Sequence, residues 1–180
     1  MNYEKAVKYL SKISSSYQSR LNTEAYMYRD PFSIPQAALT NHNNYKLTFA
    51  EEMLRLEKSI ASVKDPSKKA FDLIRYGTGL RNSVTYCWVL TEYRKFGWSC
   101  ELSLSVRTIL DKVESIYNEA LSIVDNDELA AVAYIKLCKW KTAVNKYPDT
   151  YAAKYTKMMC DNLCDYRTDW VVRTTYDFQE

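Results

Sequence analysis

The sequence contains little glycine and proline for its length. Three glycines and four prolines stand among 180 residues, whereas hairpin turns and strand ends draw heavily on both residue types. No segment alternates apolar and polar residues over the length of a strand, which is the pattern of a half-buried strand. These absences disfavour a protein of many short strands and favour an all-α fold.

Residues that build catalytic and metal sites are also scarce. His42 is the only histidine, and it lies in the polar run TNHNN; no GxSxG motif offers it a nucleophile. The five cysteines are odd in number and include no CxxC pair, which disfavours a disulfide framework. Cys160 and Cys164 share one predicted helix face, but a structural zinc site needs four ligands. We therefore expect no metal and no cofactor.

Extremes of charge and hydropathy are absent as well. The net charge is +3, whereas a nucleic-acid-binding domain carries a strongly basic face, so nucleic acid is disfavoured as a partner. No run approaches the roughly eighteen apolar residues of a membrane span, so we predict a chain that does not cross a membrane. Reduced thiols and the charged start MNYEKAVKYL predict a cytoplasmic protein if the chain is complete.

Helical periodicity is what the sequence does contain. Apolar residues recur at spacings of three and four, which marks one face of a helix. Five predicted helices cover about 2–20, 66–96, 102–124, 128–146 and 150–172, and a sixth begins near Thr48 and ends before Asp65. Short connections after residue 45 predict antiparallel neighbours. The whole chain, 1–180, is predicted to be one domain, with 21–45 as a long loop of the functional or mobile kind.

Local signals mark several helix starts. Thr48 and Glu51 in the run TFAE form a capping-box pattern. Pro66 suits the first position of the helix that follows Asp65. The run DNDE at 125–128 is predicted to supply an N-cap.

The run RYGTG contains two of the three glycines. It lacks the Gly-Lys-Ser/Thr ending and the preceding strand of a phosphate-binding loop. Gly77 and Gly79 each cost a helix about 1 kcal/mol relative to alanine. We therefore expect a neighbouring helix to approach closely at these two positions.

The stretch KYPDTYAAKY, residues 146–155, joins the last two predicted helices. Pro148 prevents the earlier helix from continuing and moves Tyr147 out of the helical conformation. Asp149 is predicted to cap the next helix and to favour its positive end. The Ala-Ala pair that follows leaves room for close packing at the corner.

Three stretches resemble tetratricopeptide-type repeat proteins. NYEKAVKYLSKI at 2–13 resembles the second helix of such a repeat through an aromatic, a small and two apolar positions: Tyr3, Ala6, Leu10 and Ile13. KWKTAVNKYPDTYAAKYTKMM at 139–159 is similar to the junction between units in bacterial envelope proteins of this type. RYGTGLRNSVTYCWVLTEY at 75–93 resembles segments of large Bacteroidetes proteins that contain such repeats.

The resemblance implies antiparallel helical hairpins stacked as an irregular, solenoid-type array. It also implies a non-catalytic scaffold or adaptor that binds a protein or peptide. A chain that opens on a second helix would be a module of a longer protein, located in the periplasm or at the outer membrane if that protein is exported. The alternative fold is a compact helical bundle, whose role would be to oligomerise. The alternative function is an enzyme with a site near the His42 loop.

The predicted partner surface lies around Pro148, where lysines and aromatic residues are interleaved. The lysines are Lys136, Lys139, Lys141, Lys146, Lys154 and Lys157. Tyrosine and tryptophan are enriched at binding hot spots. The aromatic residues around Pro148 are therefore the candidate contacts: Trp140, Tyr147, Tyr151 and Tyr155. The 21–45 loop is a further candidate. The other interpretation is the solvated face of two helices.

Overall fold

The fold is all-α, as the sequence predicts. The computed structural model describes residues 1–14, 17, 32, 45–85 and 104–159, and all regular structure in those ranges is helical. The helices found there are α1 Tyr3–Leu10, α2 Tyr45–Ser62, α3 Pro66–Thr85, α4 Leu104–Ile123, α5 Asp127–Lys136, α6 Trp140–Lys146 and α7 Tyr151–Met159. None of these helices has the length and apolar character needed to cross a membrane.

Helix α3 packs against three other helices, α2, α4 and α5. At one end of the chain α1 packs on α2. At the other end α5 contacts α4, α6 and α7, and α6 also packs on α7. The principal contacts therefore join helices that are adjacent in the chain, and two further contacts join alternate helices, α3 with α5 and α5 with α7.

The apolar stripe of α3 faces the core, as its spacing predicts. Its described members are all buried: Ala70, Leu73, Gly77, Leu80 and Val84. The same hydrophobic cluster includes Met53 and Leu56 of α2, whose side chains are completely buried. Full burial stabilises a side chain of this size by about 1.5–3 kcal/mol relative to exposure. The core therefore lies mainly between α2, α3 and α4.

The close approach expected at Gly77 and Gly79 is confirmed. A Cβ atom on Gly77 would lie 2.7 Å from Cε1 of Tyr117 on α4, and one on Gly79 would collide with the ring of Phe32. Phe32 is buried and stacks on Phe49 of α2, with ring centroids 5.4 Å apart. Both glycines therefore make room for aromatic rings.

Polar contacts also join α2 to α3. Glu52 accepts hydrogen bonds from Nε of Arg55 at 2.7 Å and from Nε of Arg75 at 3.0 Å. Burial alone would raise the pKa of Glu52, but these two guanidinium groups outweigh it and hold that pKa below its ordinary value. Tyr76 donates to Oε1 of Glu57 at 2.8 Å, and burial raises the pKa of Tyr76. These bonds stabilise the α2–α3 pair.

Two predicted helix starts are confirmed. Pro66 is the first residue of α3, and Oδ1 of Asp65 accepts a hydrogen bond from the backbone N–H of Ser67 at 3.0 Å. The DNDE run supplies the N-cap of α5, since Oδ1 of Asn126 accepts from the N–H of Leu129 at 3.1 Å. Both caps satisfy N–H groups that have no acceptor within their own helix.

Other predicted boundaries are wrong. Helix α1 ends at Leu10 instead of near residue 20, at a serine whose hydroxyl donates to the backbone of Lys8 and so competes with helical bonding. Helix α2 begins at Tyr45, so Thr48 lies inside the helix and cannot be its N-cap. No glycine or proline lies between Pro35 and Thr48 to stop the helix there. The predicted extensions over 86–96 and 160–172 lie outside the described residues.

The predicted helix over 128–146 is in fact two helices. The break falls at Cys138, whose φ of 60° is left-handed. The N–H of Lys139 bonds to the carbonyl of Tyr134, and the N–H of Cys138 bonds to that of Ile135, each at 2.8 Å. This pair of bonds is the Schellman motif, which ends many helices and usually places glycine in the left-handed position. The stretch contains neither glycine nor proline, so its sequence gives no signal of the break.

Replacing Cys138 by glycine should raise the free energy of unfolding by about 1 kcal/mol, because glycine adopts positive φ without a Cβ penalty. Urea unfolding followed by circular dichroism measures the change. The control is Cys138→Ala, which removes the thiol and keeps the Cβ atom, and it should give no comparable gain. A gain of equal size in both variants would mean that the thiol, and not the backbone, carries the strain.

Candidate functional site

The joint between α6 and α7 is a tight turn. Helix α6 ends at Lys146, and Tyr147 follows with φ −129° and ψ 54°, outside the helical region as Pro148 predicts. The carbonyl of Tyr147 accepts hydrogen bonds from Thr150, at 3.2 Å from its N–H and at 2.8 Å from its hydroxyl. These bonds close the turn and start α7 at Tyr151.

The N-cap of α7 is Thr150, so the prediction of Asp149 as the cap is wrong. Oγ1 of Thr150 accepts a hydrogen bond from the backbone N–H of Ala153 at 3.2 Å, which is the N-cap geometry. The Asp149 side chain is fully exposed and lies 3.8 Å from Nζ of Lys154. The first turn of α7 starts one residue later than predicted, so Thr150 caps the amide of Ala153.

A carboxylate from another helix completes this cap. Oε2 of Glu128 on α5 accepts from the N–H of Tyr151 at 2.8 Å, and Oε1 accepts from the N–H of Ala152 at 2.7 Å. Negative charge is favourable at a helix N-terminus. Glu128 therefore links α7 to α5 and occupies the anion-binding end of α7. The two Ala residues at this corner are buried, as predicted from their small size.

Thr156 lies farther along α7, completely buried, and its hydroxyl has no hydrogen-bond partner within the described ranges. Thr156→Val keeps the shape and removes the unsatisfied group, so we expect a gain of about 1 kcal/mol in the free energy of unfolding. The matched control is Thr150→Val, which removes a bonded hydroxyl and should cost about 1 kcal/mol. Chemical denaturation of both variants measures this. A loss in both would show that the Thr156 hydroxyl is bonded after all.

Tyr147 packs beside Tyr134 of α5, with ring centroids 6.1 Å apart. Nζ of Lys146 lies 5.6 Å from the centroid of Tyr134 and 5.3 Å from that of Tyr147. A hydrogen bond with Tyr147, and then electrostatic interaction with Tyr134, raises the pKa of Lys146. Sequence reasoning missed Tyr134, for which the available signal was one aromatic residue in the Ala-rich run AAVAYI.

Tyr151 and Tyr155 form a second aromatic pair, one turn apart on α7. Their rings stack with centroids 6.0 Å apart and an interplanar angle of 23°. Tyr151 is 49% exposed, and Tyr155 is half-buried. Trp140 is also half-buried, with Nζ of Lys141 5.2 Å from its ring centroid. Within the described ranges no ring contact joins the Tyr134–Tyr147 pair, the Tyr151–Tyr155 pair and Trp140. The four predicted aromatic residues therefore belong to three separate groups.

Lys136 is the exception among the predicted surface lysines. The other five are exposed: Lys139, Lys141, Lys146, Lys154 and Lys157. Lys136 is 2% exposed, so the prediction of a solvated side chain is wrong there. Helix α5 contacts α3, α4, α6 and α7, and all its residues from Ala130 to Lys136 except Tyr134 are buried. The neighbouring helices cover the turn of α5 that holds Lys136, so its side chain is kept from solvent.

A cleft of about 270 Å³ lies between α3, α4 and the C-terminal end of α5. Its lining residues are Arg81, Leu110, Val113, Glu114, Tyr117, Lys136, Leu137 and Cys138. Nη1 of Arg81 donates to the carbonyl of Lys136 at 2.8 Å, and Nη2 lies 4.0 Å from Sγ of Cys138. Arg81 therefore stabilises the end of α5, where a cation is favourable.

Several predicted features lie outside the described residues. These are His42, the 21–45 loop apart from Phe32 and Tyr45, and four of the five cysteines. Cys138 carries a free, exposed thiol. Where the structure describes the chain, no three His, Cys, Asp or Glu side chains are grouped so that they could hold a metal ion.

Comparison with known proteins gives no relative. No family model, no curated protein and no solved structure matches the chain.

Proposed function

We propose that the protein is a non-catalytic protein-binding module. Its binding surface is the tyrosine–lysine surface, which we define as Tyr134, Trp140, Lys141, Lys146, Tyr147, Tyr151 and Tyr155. The observation that carries this proposal is the stacked pair on α7, where Tyr151 leaves half of a large aromatic side chain in solvent. Tyrosine combines a rigid apolar body with a polar tip and loses little conformational entropy on binding, which suits it to protein contacts.

The packing pattern supports an array of helical hairpins as the scaffold of this module. Contacts between chain neighbours, together with contacts of α3 with α5 and of α5 with α7, are those expected when alternate helices form one row. We therefore propose tetratricopeptide-like stacking, with a compact bundle as the alternative. Among the described helices, α7 is the last of its row.

The test is loss of a partner from a surface variant that remains folded. The doubly substituted Tyr151→Ser, Tyr155→Ser protein and the wild type would each capture partners from the cells that make the protein. We expect a protein recovered with the wild type to be lost from the double variant. The control is Tyr9→Ser on α1, which removes another exposed tyrosine and should keep the partner. Identical partners for all three proteins would overturn the proposal.

A further inference from the structure

We propose that the tyrosine–lysine surface binds an acidic peptide segment of its partner, an inference that rests on the proposed function. The first observation is the distribution of charge. Residues 137–159 contain five lysines and one aspartate, so this stretch carries +4. The whole chain carries +3, which leaves −1 for all other residues together. This stretch is thus more basic than the chain as a whole.

The second observation is that these lysines are not neutralised locally. Lys154 lies near Asp149, at 3.8 Å. The described part of the chain provides no ion pair for the other four: Lys139, Lys141, Lys146 and Lys157. The carboxylate of Glu128 on α5 uses both oxygens on the N–H groups of Tyr151 and Ala152. The positive charge is therefore available to an outside anion.

The third observation is that two of the cations lie over aromatic rings. Lys146 is near both Tyr134 and Tyr147, and Lys141 is near Trp140. Cation–π attraction restricts such ammonium groups to the ring faces. A carboxylate bound to Lys146 would therefore lie beside tyrosine rings, so the surface selects acidic residues with apolar or aromatic neighbours.

The geometry favours a peptide over a nucleic acid. Single-stranded nucleic acids bind by stacking bases on open aromatic faces, but one face of Tyr151 is covered by Tyr155, and Lys146 lies against Tyr134 and Tyr147. Phosphates also bind at free helix N-termini. The N-terminus of α7 already holds the Glu128 carboxylate, which would repel a phosphate.

The experiment measures fluorescence anisotropy of a labelled peptide built from glutamate, leucine and glycine, with a peptide carrying lysine in place of glutamate as its counterpart. The protein should bind only the acidic peptide, and its affinity should fall with added salt, because exposed charges are screened. The Lys141→Gln, Lys146→Gln variant should lose affinity about tenfold or more. The control variant, Lys5→Gln, Lys8→Gln on α1, has the same net charge and should bind as the wild type does.

Three outcomes would overturn the inference. They are equal binding of both peptides, equal loss in the two lysine variants, and tighter binding of a labelled single-stranded oligonucleotide than of the acidic peptide. Binding of the native partner by the two sets of variants distinguishes failure of the acidic-peptide inference from failure of the proposed protein-binding function. If the tyrosine double variant loses that partner and the lysine variant keeps it, the proposed protein-binding function is supported and the acidic-peptide inference is overturned. If both variants keep the partner, both proposals fall.

Discussion

Replacing Gly77 by alanine should lower the free energy of unfolding by about 2 kcal/mol, although alanine is the better helix former. At an exposed helical site the same change would stabilise by about 1 kcal/mol. At this site the new Cβ atom would lie 2.7 Å from Cε1 of Tyr117 and 3.2 Å from two further atoms of that ring. The ring is 1% exposed, so it cannot move into solvent, and overpacking of a core typically costs about 1–3 kcal/mol.

A double-mutant cycle with Tyr117→Leu isolates this contact. Leucine removes the ring edge that faces Gly77, so Gly77→Ala should be nearly neutral or stabilising in the Tyr117→Leu background. The cycle subtracts the other losses of Tyr117→Leu, which include the 3.3 Å contact between the Tyr117 and Thr78 hydroxyls. Urea unfolding of the four proteins gives the coupling energy. Stabilisation by Gly77→Ala in the wild-type background would show that α3 and α4 are farther apart than the structure places them.

The features that the sequence predicted well are those that depend on one helix at a time. The stripe of α3 is buried because helical spacing places its residues on one side. The start of α3 at Pro66 and the cap at Asn126 are set within one turn. At Gly77 the absence of a side chain signalled a close neighbour, but the identity of the neighbour, Tyr117, came only from packing.

The features that the sequence predicted wrongly depend on several helices at once. Lys136 was expected in solvent because lysine usually is, but α5 is surrounded by four helices. No glycine or proline marks the helix break at Cys138 in the sequence. Arg81, 57 residues earlier in the chain, stabilises the end of α5 before this break by donating a hydrogen bond to the carbonyl of Lys136. Periodicity reports the faces of one helix, and it does not report which residues from elsewhere complete its ends.

The candidate site shows the same division. Its aromatic residues could be named from the interleaving of rings and lysines around Pro148, since all four lie within sixteen consecutive residues. The arrangement of these rings could not be predicted from the sequence, because Tyr147 packs against Tyr134, which lies on another helix. The function assigned to the surface stays a proposal that the two sets of variants test.

Replacing Glu128 by alanine should destabilise the protein by about 3 kcal/mol. The substitution removes both acceptors from the first turn of α7, and a hydrogen bond to a charged group contributes about 1.5–3 kcal/mol. It also removes the contact that holds α7 to α5 at this end. Amide hydrogen exchange gives a local readout: the N–H groups of Tyr151 and Ala152, bonded at 2.8 and 2.7 Å, should lose their protection in the variant.

Asp149→Ala is the control that separates this account from the expectation that Asp149 caps α7. Its side chain is fully exposed, so its loss should leave the midpoint of urea unfolding unchanged and the Tyr151 and Ala152 amides protected. Glu128→Gln keeps one acceptor oxygen and should fall between the wild type and Glu128→Ala. If Asp149→Ala were as damaging as Glu128→Ala, the aspartate would be the working cap. Helix α7, with the stacked tyrosines on it, would then be held by local sequence instead of by α5.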